Sequence, residues 1–479
     1  GVIVTLPFNE MNQWADTNVN RSYQQVANTL VQQVKSCART DYRYSQYMGN
    51  LNYTHVFDET RSAEMTVNLD YYRNGSFSHN IQNDEAVMDA DPDRSIFKVQ
   101  TVDADQIYDI YSAKADYQTV LWKRYMFEAG AKWAMSMTRN NGLEKVTEMP
   151  DVLSDFLYRE HIGAGYFNIA GQFGEKFSAK LGLRGEYTNS FGDWKSAGEQ
   201  SKNSYFDVFP TAYIGYAASE KVRLSLSYTR RISRPNYNQL DPTKTYVDAQ
   251  SYLIGSPDLL PSYNQTVSLT SGFGQHLSLS VGYDHSSKLH IQAPSFDETG
   301  KEILTWTNGG VQNMAFVAFN VSALPVTKWL DWTLSATGLY TNSDLKDLGQ
   351  KNSSFAAQLY TDFTFNLPKD WKISLDADYQ SPMAYNIYRM RTVFMANFSM
   401  KKNLLENRLS LSFRVDDIFN TASNNMDILT PGSSSIYLGQ KYYRCKAIVD
   451  LTWNFGQAQS TKARKVGNLD EMSRVGNNN

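Results

Sequence analysis

Val222-Arg223-Leu224-Ser225-Leu226-Ser227-Tyr228-Thr229-Arg230-Arg231-Ile232-Ser233 is the stretch on which the reading of this chain turns. Side chains alternate sides along a strand. Val222, Leu224, Leu226, Tyr228 and Ile232 therefore fall on one face, and Arg223, Ser225, Ser227, Thr229, Arg231 and Ser233 on the other. Only Arg230 breaks the pattern. A strand built this way separates an apolar environment from a polar one. It follows the alternating residues 213–216 and the turn Ala218-Ser219-Glu220-Lys221. It leads into Arg234-Pro235 and then Gly255-Ser256-Pro257-Asp258-Leu259-Leu260-Pro261. Pro235 and Pro261 lack an amide donor and mark the points where pairing ends.

The same unit recurs on both sides of this hairpin. Residues 44–57 and 63–72 alternate across Asp58-Glu59-Thr60-Arg61, with Met65, Val67, Leu69 and Tyr71 opposite Glu64, Thr66, Asn68 and Asp70. Further pairs fall at 111–121 and 126–137, 162–173 and 177–187, 266–272 and 277–284, and 314–323 and 332–340. The last are 354–366 and 373–379, 392–400 and 409–415, and a final strand at 442–455. Within 177–187, Phe177, Ala179, Leu181, Leu183 and Tyr187 stand against Ser178, Lys180, Arg184 and Glu186. Such alternation is long for a half-buried soluble strand and matches the roughly 9 to 11 residues that cross a bilayer at a tilt.

Eight short turns close the hairpins, and eight longer polar segments, such as 73–110, 233–262 and 417–441, separate them. Bacterial outer-membrane barrels sort their connections in this way, with tight periplasmic turns and long outer loops. A soluble multidomain β-sandwich protein also alternates, but its turns do not sort into two sets. The expected fold is all-β: a transmembrane antiparallel up-and-down β-barrel over residues 41–456, with about 17 strands. That number is odd, whereas single-chain bacterial barrels close with even numbers, so strands are expected to be missing on the N-terminal side. Residues 1–40 read as a strand remnant followed by an Asn- and Gln-rich outer loop, and 457–479 as a mobile polar periplasmic tail. Gly1 to Pro7 shows neither a basic leader nor a cleavage site, and the chain reads as beginning inside a domain.

Composition agrees. The 479 residues are only 42% hydrophobic and have a mean hydropathy of -0.48, yet 13% are aromatic, led by 31 Tyr and 24 Phe. No window approaches the roughly 18 apolar residues of a membrane helix, whereas a barrel hides its apolar residues at alternate positions. Aromatics near strand ends (Tyr71, Tyr72, Tyr187, Phe191, Trp194, Tyr283, Tyr340, Tyr379, Trp453 and Phe455) read as an interfacial girdle, and outer-membrane lipid is therefore a partner. With 46 basic and 49 acidic residues well mixed and a net charge of -3, nothing points to nucleic acid. Cys37 and Cys445 are too few for a disulfide scaffold; a bridge between them is open, since spacing says nothing about proximity.

The patterns that carry catalysis are lacking. There is no HExxH, nucleophile elbow, phosphate loop or dinucleotide fingerprint, so no enzyme and no cofactor is expected. The six histidines do not cluster with cysteines, and no metal site is expected from them. The acidic run from Asn83 to Asp93 resembles a calcium loop in charge alone. Arg94 stands where such a loop needs glycine, and a solvated outer loop is the preferred reading. Arg223 and Arg231 face the lumen, where they meet a ligand or, as lumen charges generally do, satisfy carboxylates such as Glu186. Arg234, beyond the strand, is placed to brace the outer loop. Trp194, Tyr246, Tyr252 and Tyr263 are loop aromatics able to stack on a ligand. The candidate ligand-binding set is Trp194, Arg223, Arg231, Tyr246 and Tyr252.

Three landmarks carry a family resemblance. Tyr228-Thr229-Arg230-Arg231-Ile232-Ser233-Arg234-Pro235, followed by Gly255-Ser256-Pro257 and Pro261, resembles the paired signature of TonB-dependent receptor barrels of the outer membrane protein β-barrel family. Asp417-Ile418-Phe419-Asn420 resembles the sequence that ends their penultimate strand. Leu451-Thr452-Trp453-Asn454-Phe455 resembles their closing strand. The resemblance implies structural roles for Arg230, Arg231, Arg234, Pro235, Pro257, Pro261, Asp417, Phe419 and Phe455. It also implies a barrel of 22 strands, of which about 17 are present here. An N-terminal plug domain, found nowhere in these residues, is implied too, and so is contact with TonB through the intact receptor. A surface lipoprotein is a further implied partner. The expected function is energy-coupled uptake of a bulky nutrient across the outer membrane. The alternative is a passive porin or a surface adhesion or assembly barrel.

Overall fold

The computed structural model describes residues 2–5, 8–24, 31–88, 91–147, 150–248, 251–298, 302–385, 387–406, 408–429, 435–441, 445–455 and 470–475. In chain order the strands begin with β1 (Val2–Thr5), β2 (Phe8–Gln24), β3 (Val31–Asp58), β4 (Ala63–Met88), β5 (Asp91–Leu121), β6 (Tyr125–Val146), β7 (Val152–Phe173), β8 (Phe177–Trp194), β9 (Glu199–Ala217) and β10 (Val222–Ser233). After the helix α1 (Tyr237–Leu240) come β11 (Thr245–Asp248), β12 (Ser251–Ile254), β13 (Ser262–Phe273), β14 (Leu277–Phe296), β15 (Glu302–Thr327), β16 (Leu330–Leu345), β17 (Gln350–Leu367) and β18 (Trp371–Gln380). The last are β19 (Met383–Tyr385), β20 (Tyr388–Met390), β21 (Val393–Leu404), β22 (Leu409–Asp416), β23 (Ser423–Leu429), β24 (Ser435–Lys441) and β25 (Lys446–Trp453).

One antiparallel meander contains most of them. Neighbours pair from β2 through β10, then β10 with β13, on through β18, and finally β21, β22 and β25. The β11–β12 hairpin is appended to β15, and β19, β20, β23 and β24 form a separate four-stranded sheet. β1 and β2 both pair with β3 in one register, Val2 opposite Tyr53 and Phe8 opposite Tyr47, and act as a single strand. Of the 21 strands in the large sheet, eighteen therefore follow one another around the wall. Among the described residues no pairing joins β25 to β1 or β2, so the wall has two free edges.

The faces are inverted relative to a soluble protein. Leu181, Ile214, Val281 and Val317 are about half exposed, while Asn50, Asn68, Asp70, Ser112, Lys132 and Glu186 are buried. Water would reward the opposite arrangement; lipid outside and a polar lumen inside reward this one. The apolar band is bounded by exposed rings, for example Phe177 and Tyr187 on β8 or Trp371 and Tyr379 on β18. The ten residue steps of strand from Phe177 to Tyr187 rise roughly 33 Å, or about 24 Å across a bilayer at the usual tilt.

All eight expected short turns are present, at 59–62, 122–124, 174–176, 218–221, 274–276, 328–329 and 368–370, and between β21 and β22, where Arg408 N–H donates to the Leu405 carbonyl. The opposite ends differ from expectation. Residues 73–110 form no long loop: β4 and β5 run on as a hairpin, 26 and 31 residues long, paired as far as Met88 and Asp91. Once the chain leaves the lipid band its outer face need not be apolar, so the alternation fades although the pairing continues. Of the acidic run from Asn83, residues 83–88 and 91–93 belong to this hairpin, with Asp84 buried beside Gln82, and 89–90 lie outside the described residues. Within 1–40 the described residues 2–5, 8–24 and 31–40 are likewise strand, the first two stretches held to β3 by backbone pairing that leaves no mark in the side-chain pattern; the rest of the expected outer loop, 25–30, lies outside the described residues. Tyr72 and Trp194, expected in the girdle, face the lumen side and pack in or against a core of Tyr108, Ile110, Phe156 and Tyr158.

Candidate functional site

The polar face of β10 looks into the lumen, as its alternation requires. Arg231 lines the lumen cavity, whereas Arg223 lies next to the short turn, opposite Ala217 and Gly272. Arg230 breaks the alternation for a reason visible only in the sheet. Pairing between β9 and β10 ends at Thr211 opposite Thr229, while pairing of β10 with β13 continues to Ser233 opposite Ser262. The guanidinium fills the split. It donates to the Val208 carbonyl at 2.6 Å, stands 3.7 Å from the Asp207 carboxylate and lies 4.9 Å over the Tyr263 ring. Tyr263, in turn, donates its hydroxyl to Asp207 at 2.8 Å.

Arg234 braces the wall, not an outer loop. Its Nη2 donates to Glu186 at 2.6 Å and to the Thr188 hydroxyl at 3.0 Å, and Glu186 also accepts from Arg184 Nε at 2.5 Å. This ion pair turns the chain inward at Pro235. The segment expected as an outer loop, 233–262, consequently folds into the lumen at 234–243 and 255–261. α1 buries Tyr237 and Leu240; Tyr108 donates to Asn238 at 2.9 Å, and Asn140 donates to the buried Asp241 carboxylate. Burial raises the Asp241 pKa, opposed by donors from Thr243 and Asn140, and burial pushes the Tyr237 hydroxyl up to about 12.

The glycine-proline landmark closes this inward turn. Gly255 N–H donates to the Asp241 carbonyl at 2.9 Å and Ser256 N–H to that of Gln239 at 2.7 Å. Asn308 clamps Leu260, accepting its N–H and donating to its carbonyl, each at 2.7 Å. The Pro257 carbonyl accepts from Ser201 at 3.2 Å, and Pro261 follows the clamp at the start of β13. A Cβ on Gly255 would stand 2.2 Å from the Asp241 carbonyl, where only glycine fits. Gly255→Ala is therefore expected to destabilise the inward-folded segment by about 1–3 kcal/mol. Limited proteolysis of whole cells would show faster cleavage within 234–261; an unchanged rate would refute the close approach.

Beneath this roof, toward the short turns, lies a cavity of about 1480 Å³. β3, β4, β5, β7 and β8 give the cavity their turn-proximal residues and the roof their distal ones: β5, for instance, supplies Ser112 to Gln118 below and Tyr108 and Ile110 above. The lining is charged in both signs and largely self-paired, as in Lys114 with Asp116 at 3.0 Å and Arg184 with Glu186 at 2.5 Å.

The other candidates are scattered. Trp194 packs against the apolar roof cluster, away from the cavity. Tyr252 is buried on β12, with the Lys244 ammonium 4.7 Å over its ring and Asp297 accepting its hydroxyl at 3.5 Å. Tyr246 lies on β11, and its side chain is outside the described residues. Only Arg231 of the candidate set lines the cavity, while the ring of ion pairs around Glu186 shows in the sequence only as alternate charges. Asp417 is fully buried where β22 ends, and Phe419 stacks on Phe394 with centroids 6.3 Å apart. Phe455 is exposed beyond β25. His276, His285 and His290 each bind a different partner: Ser322, Asn313 and the Leu260 carbonyl. Cys37 and Cys445 are both free and exposed. Among the described residues no group of three or more potential ligands is placed to hold a metal.

The model of the outer membrane protein beta-barrel family matches residues 55–453. Comparison with curated proteins gives no match. Among solved structures, the ferric-catecholate import receptor Fiu of E. coli K12 superposes with a TM-score of 0.53 at 11% identity, over 93% of this chain and 80% of that one. The ferric yersiniabactin uptake receptor FyuA of Yersinia pestis gives 0.52 at 12% identity, over 91% and 78%. The ferric citrate transporter FecA gives 0.51 at 10% identity, over 92% and 76%. At these identities the likeness is one of fold.

Proposed function

Because this chain belongs to the outer membrane protein beta-barrel family, we propose that it forms the barrel of a TonB-dependent receptor that takes up a bulky polar nutrient. The obstructed lumen carries this reading. A passive porin needs a continuous aqueous channel, whereas here 234–243 and 255–261 fold into the lumen, pinned through the buried Arg234–Glu186 pair. Cargo can pass such a barrier only if something moves it, which is the work of an energy-coupled system. The cavity of about 1480 Å³ exceeds the roughly 300–1,000 Å³ of ordinary small-molecule pockets and is lined by charge, which suits a large polar cargo.

The free edges of β1–β2 and β25 bear on the intact protein. An unpaired backbone group in hydrocarbon costs several kcal/mol. Further strands pairing these edges, together with a plug domain that engages TonB and an associated surface lipoprotein, complete the proposed receptor. The short turns face the periplasm and the long connections the exterior.

Cells carrying the intact receptor, with and without TonB, are to be offered ferric chelates, oligosaccharides and oligopeptides. One class is expected to accumulate in the periplasm at least tenfold above the TonB-deficient cells. Equal passage of small solutes in both strains would identify a porin, and no accumulation of any class would identify an adhesion or assembly barrel.

A further inference from the structure

The chain's C-terminal residues Asp470–Arg474 form a short 3-10 turn inside the lumen, against the expectation of a mobile periplasmic tail. Lys132, pointing inward from β6, holds its Nζ 3.0 Å from Asp470 and 2.9 Å from Glu471. One turn further, Arg474 pairs with Glu160 of β7, donates from Nε to the Pro235 carbonyl at 2.9 Å, and lies 4.6 Å over the Tyr237 ring. Tyr158 donates to the same Glu160 carboxylate at 3.1 Å. Val475 then enters the apolar roof with Tyr108, Ile110 and Tyr158.

Lys132, Glu471, Arg474 and Glu160 are each less than a tenth exposed. Burying such charges costs several kcal/mol apiece unless they are well paired. Here the acidic end of the segment meets a lysine and its basic end a glutamate, so the segment fits in one direction only. Reach is sufficient. β25 finishes at the short-turn rim, where Asn454 N–H donates to the Arg408 carbonyl. The fifteen residue steps from Phe455 to Asp470 extend to about 50 Å. Lys132 lies roughly 25 Å of strand above that rim.

We propose that the lumen contains a site for a short peptide bearing carboxylates three and four residues ahead of an arginine, and that Asp470–Val475 of the same chain is its resident occupant. Lys132 reads the carboxylates, the Glu160–Tyr158–Tyr237 socket reads the guanidinium, and the occupied site completes the roof over the cavity. This goes beyond the receptor reading and depends only on the lumen.

The test uses the full-length protein in outer-membrane vesicles, with Cys37→Ser and Cys445→Ser, and Val475→Cys as reporter for a membrane-impermeant maleimide. Modification is expected to be at least tenfold slower than in the same background carrying Arg474→Gln, with Arg474→Lys in between. Glu160→Gln should release the reporter in the same way. Because Arg474→Gln alters the segment and not the wall, a misfolded barrel cannot mimic the result, and heat-modifiable gel mobility checks each variant. Equal modification rates with and without Arg474→Gln in folded protein would overturn the proposal, including the case in which another segment of the intact protein fills the site. Loss of TonB dependence in the uptake assay would overturn the receptor reading and leave this protection unchanged.

Discussion

Replacing Glu186 by alanine is expected to lower barrel stability by about 3–5 kcal/mol, the cost of stripping one partner from a buried ion pair. Glu186 and Arg234 are each about nine-tenths buried, and Glu186 is also the acceptor for Arg184. Its removal strands two guanidinium groups, of which only Arg234 keeps a neutral acceptor, Thr188. Arg234→Ala should cost less, because Glu186 retains Arg184. Arg234 also turns the chain inward at Pro235, so Glu186→Ala should additionally expose 234–261 to protease. The midpoint of the heat-modifiable gel transition, or urea unfolding in vesicles, measures the first effect. A Glu186→Ala midpoint equal to that of the parent would show that the lumen ion pairs contribute nothing to stability.

Asp417→Ala is the second large effect. The fully buried carboxylate accepts the N–H of Thr421 at 3.0 Å and of Ala422 at 2.9 Å, and the Thr421 hydroxyl at 3.3 Å. Its own N–H donates to Asn397 Oδ1 at 2.9 Å, and its φ of 47° is left-handed, like the 51° of Asn420. Alanine would leave two amides without acceptors, about 1–3 kcal/mol each. It would also hold a left-handed backbone at about 1–2 kcal/mol. Asparagine is the closer replacement: Asp417→Asn tolerates the same backbone and keeps one strong acceptor, so it should recover more than half of the loss. Proteolysis of cells at the 417–422 turn separates the cases. Equal cleavage of the two variants would discount the carboxylate as the organiser of the turn.

Much of the wall is legible in the sequence because lipid imposes a period of two. Phe177 to Tyr187, Val222 to Ile232 and the eight short turns are readable for that reason: every second side chain has to be apolar, and the chain has to reverse at fixed depth. The strands' full lengths are not readable, since 73–110 lies outside the lipid band, where pairing needs no apolar alternation and its side-chain contacts, such as His79 with Asp103, are polar. β2 is hidden likewise, its polar sequence carrying no alternation. In the site, the charges at Arg184, Glu186, Arg231 and Arg234 are visible as lumen-facing or loop-facing, but their pairing is not.

By itself, then, the sequence determined a membrane-spanning antiparallel meander with a polar interior, since alternation is a local property that each strand must satisfy where it meets lipid. Only the tertiary structure decided that Arg230 fills a split between β9 and β10, that α1 folds into the lumen, and that Arg474 meets Glu160, 314 residues away. These depend on which residues the curled wall brings face to face across the lumen, and no local period encodes that.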